Sequence, residues 1–159
     1  MQTTNKGIRN TLVTIMRPMT TKDIPQAAFL VLEAFGSKSE IKEPWTYETA
    51  LMYIQTHFRP NKYSLVVEMS GTVVGICVAS MDYFEGGPEL YIWLFIVKGD
   101  LRNRGIGTRI LNESIKFAKK NGAVSVCLLS HSGLNSKKIY KHWGFKNTGW
   151  EESRWKFDE

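Results

Sequence analysis

A basic, glycine-containing turn between a predicted strand and a predicted helix is the feature that most constrains this chain. An apolar run, 90–97, leads into the turn. Apolar residues at spacings of three and four follow it, at Ile106, Ile110, Leu111, Ile115 and Ala118. A helix that begins directly after a turn has N–H groups without intrahelical partners at the positive end of its dipole. The sequence therefore predicts an anion-binding helix start.

The turn contains residue types that suit a phosphate. Gly105 and Gly107 lack a Cβ, so a phosphate can approach the main chain closely. Three arginines add positive charge around them, namely Arg102, Arg104 and Arg109. The P-loop pattern and the G-x-G-x-x-G pattern are both absent from the sequence. From these residues alone, a phosphate cradle and a tight turn with solvated arginines both stay open.

Length and composition predict one globular domain. The 159 residues are enough for a real core, and no apolar run approaches the roughly 20 residues that span a bilayer. Residues 1–10 lack an apolar signal core, and we expect them to form a flexible leader before a single domain at 11–159. We therefore expect a cytoplasmic protein without a membrane partner.

The cysteines and histidines do not form a metal-binding pattern. Cys77 and Cys127 each lie within an apolar, strand-like run, which favours free buried thiols over a disulfide. The three histidines and two cysteines never cluster at ligand spacing. We therefore predict no metal site.

The net charge of +6 is concentrated near the turn. From Lys98 to Lys120 there are seven Lys or Arg residues and two acidic ones. Such a patch suits nucleic acid or one polyanionic small molecule. The patch coincides with the glycine turn and lacks interleaved aromatic residues for base stacking. The small molecule is therefore favoured, and nucleic acid ranks last.

Hydrophobic periodicity and turn residues predict an alternation of strands and helices. The predicted strands cover residues 11–17, 64–69, 72–81, 90–97, 124–130, 145–150 and 153–157. The four predicted helices end near Gly36, Phe58, Lys120 and His142. The resulting order, β-α-α-β-β-β-α-β-α-β-β, indicates an α/β domain with a mixed sheet.

Two motifs in this element order give the chain a resemblance to a known family. The turn Arg102-Asn-Arg-Gly-Ile-Gly107 matches Q/R-x-x-G-x-G/A, and Tyr140-Lys-His-Trp-Gly-Phe145 matches Y-x-x-x-G-F. With the Leu-Leu-Ser end of the strand at 124–130, they resemble the GNAT superfamily of acetyl-CoA-dependent N-acetyltransferases. The resemblance covers roughly residues 12–157. It implies an α/β (α+β) fold with a mixed, mostly antiparallel central sheet of about six or seven strands flanked by helices.

The resemblance also implies acetyl-CoA as a co-substrate, with no metal. The pyrophosphate would lie on main-chain N–H groups of residues 103–108, and the pantetheine arm between strands 90–97 and 124–130. Backbone groups of residues 95–97 would meet the arm and the acetyl carbonyl, where negative charge develops as an amine attacks. The implied cofactor-binding residues are Phe95, Ile96, Val97, Arg102, Asn103, Arg104, Gly105, Ile106, Gly107, Thr108 and Asn135.

One catalytic residue follows from the second motif. By the resemblance, Tyr140 is the general acid that protonates the leaving thiolate of CoA, since a phenol can donate a proton at neutral pH. Packing of this ring on the sheet is the alternative. Many relatives hold the pantetheine with an asparagine six or seven residues earlier, where this chain has Leu134 and Gly133. Asn135 either reaches the cofactor or caps a helix.

The general base is the second departure from the family pattern. Many relatives have a glutamate four residues before the end of the strand at Val97, where this chain has Trp93. An attacking amine must be neutral, so another group has to accept its proton. Glu89 and His131 are the candidates we name as base, beside the weaker candidates Asp82 and Glu85.

The resemblance implies an acyltransferase that moves acetyl from acetyl-CoA to a primary amine of a small molecule, peptide or protein. In the family, the acceptor is framed by the loop between the first two helices, here 36–45, and by the hairpin region 82–88. Acidic and aromatic residues in both segments suit a cationic amine, and exposed loops with ordinary charges are the favoured alternative. A non-catalytic module that binds CoA or a partner is the alternative. The amine, the length of the acyl group and the oligomeric state, homodimer included, stay open.

Overall fold

A single five-stranded sheet organises the structure, a computed structural model that describes residues 13–60, 63–131 and 134–157. Its strands, in both chain and spatial order, are β1 (Ile15–Pro18), β2 (Leu65–Met69), β3 (Thr72–Phe84), β4 (Gly87–Val97) and β5 (Ser125–Leu128). Strands β1 to β4 pair antiparallel, and β5 lies parallel to β4. The predicted mixed, mostly antiparallel sheet is therefore confirmed.

The described residues form four α-helices, as the sequence predicts. They are α1 (Ile24–Phe35), α2 (Tyr47–His57), α3 (Ile106–Lys120) and α4 (Ser136–His142). Short 3-10 turns at Thr21–Asp23 and Gly99–Leu101 precede α1 and α3. Within the described ranges, no helix is long and apolar enough to cross a membrane.

The two faces of the sheet are covered by different helices. On one face, α1 and α2 bury a core against the alternate residues Ile76 and Val78 of β3 and Leu94 and Ile96 of β4. On the other face, Gly75, the β3 residue before Ile76, lies against Ile106 and Ile110 of α3. Both faces being covered explains why the central strands are almost continuously apolar in sequence.

A β-bulge in β4 shifts the alternation of side chains, so that the residues before and after it point to the two sheet faces in opposite phase. Val78 pairs with Leu94, but the next residue, Ala79, pairs with Ile92, so Trp93 is an extra residue between them. An extra residue shifts the alternation of side chains by one position. Trp93 and Leu94 consequently lie on the same face, the one that α1 and α2 cover.

Two tight turns join the antiparallel strands. Ser70 and Gly71, with φ of 51° and 79°, connect β2 to β3, as the sequence predicts. The β3–β4 hairpin is longer than predicted, because its pairing continues to Phe84 and Gly87. Residues 82–84 and 87–88, which lie outside the predicted strands 72–81 and 90–97, therefore belong to strands.

The chain divides after Leu128 into two compact units, Met1–Leu128 and Leu129–Glu159. The first contains all five strands and helices α1 to α3, and the second contains α4. The predicted leader 1–10 lies outside the described residues. Its extent and the single domain 11–159 stay predictions.

The predicted strands 145–150 and 153–157 are not formed in the described part of the second unit. Local turns replace the first of them: Gly149 has φ of 83°, and its N–H donates to Oδ1 of Asn147 at 2.7 Å. Such side-chain bonds compete with a β-ladder for the backbone. The sheet therefore has five strands, fewer than the six or seven expected.

A partly buried ion-pair cluster links β1 to the turn before α1 and to β2. The guanidinium of Arg17 on β1 donates two 2.8 Å hydrogen bonds to the Asp23 carboxylate and a third, of 2.9 Å, to Glu68 on β2. The N–H of Thr20 donates to the same Asp23 carboxylate at 2.7 Å. These hydrogen bonds, above all those from Arg17, hold the pKa of Asp23 below its usual value, against the opposing effect of burial.

We predict that Asp23→Asn lowers the free energy of unfolding at pH 7 by about 2 kcal/mol, since hydrogen bonds to a charged group are lost. Because the folded-state pKa of Asp23 is depressed, its contribution is present above the unfolded value of about 4 and is lost as the pH falls below it. Urea unfolding at pH 7 and at successively lower pH tests this. The difference between the two proteins should shrink on acidification. Glu68→Gln is the control, with a smaller expected effect because that carboxylate is more exposed.

Candidate active site

The start of α3 forms the predicted anion-binding turn. Leu101 and Ile106 are buried and anchor the two ends of the turn, while the four residues between them are exposed. Asn103 and Gly105 have left-handed φ angles of 60° and 80°, and Gly105 is the N-cap of α3. Glycine is the residue that adopts this conformation without strain, so Gly105 is required by the backbone itself.

The helix start has N–H groups without a hydrogen-bond partner among the described residues. The first hydrogen bond that closes the helix runs from the N–H of Arg109 to the carbonyl of Gly105, at 3.0 Å. The N–H groups of residues 106–108 precede that bond, and none of them donates to another described residue. The main-chain donors that an anion needs are therefore in place.

The second glycine serves close packing rather than conformation. A Cβ built on Gly107 would lie 3.7 Å from the ring of Phe95 and 3.7 Å from a methyl of Val97, an ordinary van der Waals distance. The first turn of α3 therefore lies directly on the end of β4. An alanine fits there and nothing much larger does, which accounts physically for the G/A alternative of the motif.

Two of the three arginines around the turn donate hydrogen bonds to other groups of the protein. Nε of Arg102 donates to the Val97 carbonyl at 3.1 Å, and Nη1 of Arg109 donates to Oγ1 of Thr14 at 2.7 Å. Arg104 is exposed and has no such bond to any described residue. Arg102 therefore orders the connection between strand and turn, and Arg104 is the arginine most available to a ligand.

The pairing of β4 with β5 covers only the first part of β4. It runs from Glu89 and Ser125 to Ile92 and Leu128, whereas β4 continues to Val97. The resemblance places the pantetheine arm between strands 90–97 and 124–130, with backbone groups of residues 95–97 facing it. Residues 95–97 lie beyond the end of the β4–β5 ladder.

In the second unit, the motif at 140–145 folds into a local cluster. Gly144 has φ of 95° and ends α4, and the N–H of Phe145 then donates to the Tyr140 carbonyl at 3.0 Å. The chain reversal brings the Phe145 ring edge-on to the Tyr140 ring, with centroids 5.7 Å apart. The spacing Y-x-x-x-G-F therefore fixes the position of the tyrosine through a left-handed glycine.

The remaining candidate residues lie in three different elements. Asn135 is at the N-cap of α4, but its side chain makes no capping hydrogen bond, so the helix-cap alternative for that side chain is not what the structure contains. His131 is exposed in the second unit. Glu89 is half-buried on β4, paired with Asp82 of β3 on one side and Ser125 of β5 on the other.

An aromatic row beside Trp93 was missed by the sequence analysis. The imidazole of His57, the last residue of α2, stacks on the Trp93 indole with centroids 3.9 Å apart and planes 19° apart. Tyr53 contacts the same imidazole at 4.5 Å, and Tyr91 contacts the indole at 4.3 Å. The row continues to Trp45, 5.4 Å from Tyr53. The spacing of Tyr53 and His57, four residues apart on one helix face, was the available signal.

Polar groups adjoin this row on β3. Nε1 of Trp93 donates to Oγ of Ser80 at 2.8 Å, and the Ser80 hydroxyl lies 3.4 Å from the Asp82 carboxylate. Burial and the nearby Arg59 lower the pKa of His57, while Asp82 acts in the opposite direction. The lowered pKa keeps His57 neutral at pH 7 and able to accept a proton.

The cysteines lie away from this chemistry. Both are free; Cys77 is buried and Cys127 half-buried. Burial raises the pKa of the Cys77 thiol to about 11, partly offset by Ser114, so that thiol is protonated at neutral pH. In the described part of the chain, no group of three or more His, Cys, Asp or Glu residues could hold a metal ion.

Comparison with known proteins places this geometry in a family. An uncharacterised N-acetyltransferase of Methanocaldococcus jannaschii is 30% identical over 135 residues, covering 84% of this chain and 78% of that protein. The probable N-acetyltransferase camello of Xenopus laevis is 27% identical over 121 residues, covering 76% of this chain and 52% of that protein. This chain therefore spans about half the length of the Xenopus relative.

Solved structures agree on the fold. A predicted acetyltransferase from Clostridium acetobutylicum, crystallised with acetyl-CoA, superimposes with a TM-score of 0.67 at 19% identity, covering 89% of this chain and 96% of that one. The model of the acetyltransferase (GNAT) family matches residues 27–145, which include both the glycine turn and the Tyr140 motif. This chain belongs to the GNAT family of acetyltransferases.

Proposed function

We propose that this protein transfers an acetyl group from acetyl-CoA to a primary amine by direct attack in a ternary complex. One observation carries the proposal: a GNAT-family chain has an exposed helix start with free N–H groups behind a left-handed glycine. That arrangement suits a pyrophosphate, because main-chain donors and the helix dipole act together on it. Arg104 adds a cation that no described residue uses.

The strand before the turn would receive the reactive end of acetyl-CoA. In this proposal, main-chain groups of residues 95–97 meet the pantetheine arm and the thioester carbonyl. A main-chain N–H directed at that oxygen stabilises the negative charge that develops as the amine adds. The fixed contact of Phe95 and Val97 with Gly107 supports it, because it ties the strand to the pyrophosphate turn.

Tyr140 would protonate the leaving thiolate of CoA. Its phenol is the proton donor of the GNAT motif, and the Gly144 turn and the Phe145 ring hold it in one local arrangement. Protonation of the thiolate makes departure of CoA effectively irreversible at neutral pH. Asn135, whose side chain makes no cap bond, is proposed as a cofactor contact in the same unit.

The acceptor would lie against the aromatic row on the α2 side of β4. Asp82 at the edge of that row supplies negative charge, and the indole and phenol faces suit a cation. A protonated primary amine meets both requirements. A small molecule and a peptide or protein amine remain equal candidates for the acceptor.

A non-catalytic acetyl-CoA-binding module is the second candidate. Trp93 favours it, because an indole at the glutamate position of the family cannot take a proton from the amine. Binding of acetyl-CoA without acetylation of any amine would support this alternative and overturn the enzyme proposal.

We expect isothermal titration calorimetry to show acetyl-CoA binding at micromolar cofactor. We also expect release of the CoA thiol when the protein is given acetyl-CoA and a panel of amines covering polyamines, aminoglycosides, aromatic amines and peptides. No binding at millimolar acetyl-CoA would contradict the cofactor assignment. Binding with no turnover on the whole panel would select the non-catalytic alternative.

The glycine turn can be tested with a pair of substitutions at opposite ends of α3. Gly105 and Gly122 both have φ of 80°, and a Cβ on either meets no atom within 4 Å. Gly105→Ala and Gly122→Ala should each lower the free energy of unfolding by about 1 kcal/mol, the cost of a left-handed alanine. Calorimetry should show weaker acetyl-CoA binding for Gly105→Ala alone. Equal affinities would remove the turn from the cofactor site.

Tyr140→Phe is expected to lower kcat by about 100-fold, the low end of general-acid contributions, with little change in the Kd for acetyl-CoA. The loss should diminish at low pH, where water protonates the thiolate more readily. Tyr47→Phe is the matched control, because that ring packs on Phe29 in α1 and its centroid lies 4.8 Å away. Unchanged kcat in Tyr140→Phe would exclude the phenol as the acid.

A further inference from the structure

The acceptor amine has to lose a proton, and the family position for the base holds an indole. The imidazole of His57 lies face to face with that indole, with ring centroids 3.9 Å apart. We propose that His57, which lies on the neighbouring helix α2, accepts the proton of the acceptor amine. It would take the role of the glutamate that is absent from the Trp93 position of β4. This inference rests on the proposed acetyl transfer and assigns a residue to it.

The geometry holds the imidazole in one orientation. The Trp93 indole supports one face at an interplanar angle of 19°, and Tyr53, one helical turn earlier, contacts the ring at 4.5 Å. Trp93 is itself fixed, because its Nε1 donates to Ser80 at 2.8 Å and the bulge sets its direction. His57 is therefore held against β4 by contacts with two rings.

The ring nitrogens of His57 are available to a substrate. Neither nitrogen is hydrogen-bonded to any residue in the described ranges. The described residues contain no side-chain nitrogen or oxygen that is buried without a partner, so both nitrogens reach solvent. A half-buried imidazole with accessible nitrogens can meet a proton on a bound amine.

The charges around His57 fit this role. Arg59, two residues after it, disfavours the imidazolium, and Asp82 on β3 favours it. Tyr53 on α2 and Tyr91 on β4 are the other titratable side chains in the row. With burial added, the balance keeps His57 neutral before the reaction. Asp82 then stabilises the imidazolium once the proton has moved.

The proton and electron pairs balance over the reaction. The ammonium form of the acceptor gives one proton to a His57 ring nitrogen, and its nitrogen lone pair then forms a bond to the thioester carbon. The C–S bond breaks, and the sulfur leaves with its electron pair and takes a proton from Tyr140. The nitrogen of the adduct loses its second proton to solvent as the amide forms, and the Tyr140 phenolate takes a proton back from solvent. The amide retains the acetyl group, and the imidazolium of His57 returns its proton to solvent. The net products are the amide, CoA thiol and one proton.

The test compares three single substitutions of the same kind in the full chain: His57→Gln, His131→Gln and His142→Gln. His142 is exposed on α4 and takes no part in the proposed site, so its variant is the control. We expect His57→Gln to lower kcat/KM for the amine by 100-fold or more. Its pH profile should lose the rising limb that the wild-type enzyme shows below neutrality. The control His142→Gln should keep both the rate and the limb, and His131→Gln, which removes the competing candidate for the base, should keep the limb.

A second measurement needs no substitution. The imidazole resonances of the wild-type protein, with acetyl-CoA bound, should titrate for His57 at the same pH as the rising limb of kcat/KM. Agreement within about half a pH unit supports the proposal. A His57 titration more than one unit away from the limb overturns it, even if the variants do not fold.

The outcomes separate this inference from the proposed function. Acetyl transfer by the wild type that survives in His57→Gln with an unchanged pH profile overturns the His57 assignment alone. Loss of the rising limb in His131→Gln assigns the base to His131 and also overturns the His57 assignment. Absence of acetyl transfer by the wild type overturns the proposed function and, with it, any base.

Discussion

The single extra residue in β4 is the constraint from which the arrangement of this molecule follows. Because Trp93 is inserted between two ladder pairs, the strand presents Phe95 and Val97 to α3 and the indole to α2. One continuous strand can then contribute to two unlike surfaces. The α3 side meets the glycine turn, and the α2 side carries the aromatic row. Without the bulge, the Trp93 side chain would lie on the same face of the sheet as Phe95 and Val97.

The glycine turn was readable from sequence because its chemistry is local. The apolar run 90–97, the arginines and Gly105 all lie between residues 90 and 109, and each reports a short-range requirement of strand, turn or helix start. The left-handed backbone at Gly105 and the free N–H groups follow from the same local rules. The roles of Gly107 and Arg102 needed coordinates, since both depend on contacts with the end of β4.

Two other features were out of reach of sequence for physical reasons. The aromatic row joins α2 to β4. Strands β2 and β3 lie between these two elements in the sequence, and only the tertiary fold brings His57 to Trp93. Residues 154–157 alternate polar and apolar as a strand does, yet no strand forms there, and in the segment 145–150 Gly149 and the Asn147 side chain turn the backbone instead. Periodicity reports which face a residue prefers, and it does not report whether a neighbouring strand is present to pair with it.

The stack of His57 on Trp93 also has an optical consequence. An excited indole transfers charge to a cationic imidazole in face contact much more readily than to a neutral one, so protonation of the imidazole quenches indole emission. With the two rings 3.9 Å apart, the charge state of His57 is coupled to the fluorescence of one particular tryptophan. Trp93 fluorescence therefore acts as an intrinsic probe of the protonation state of His57.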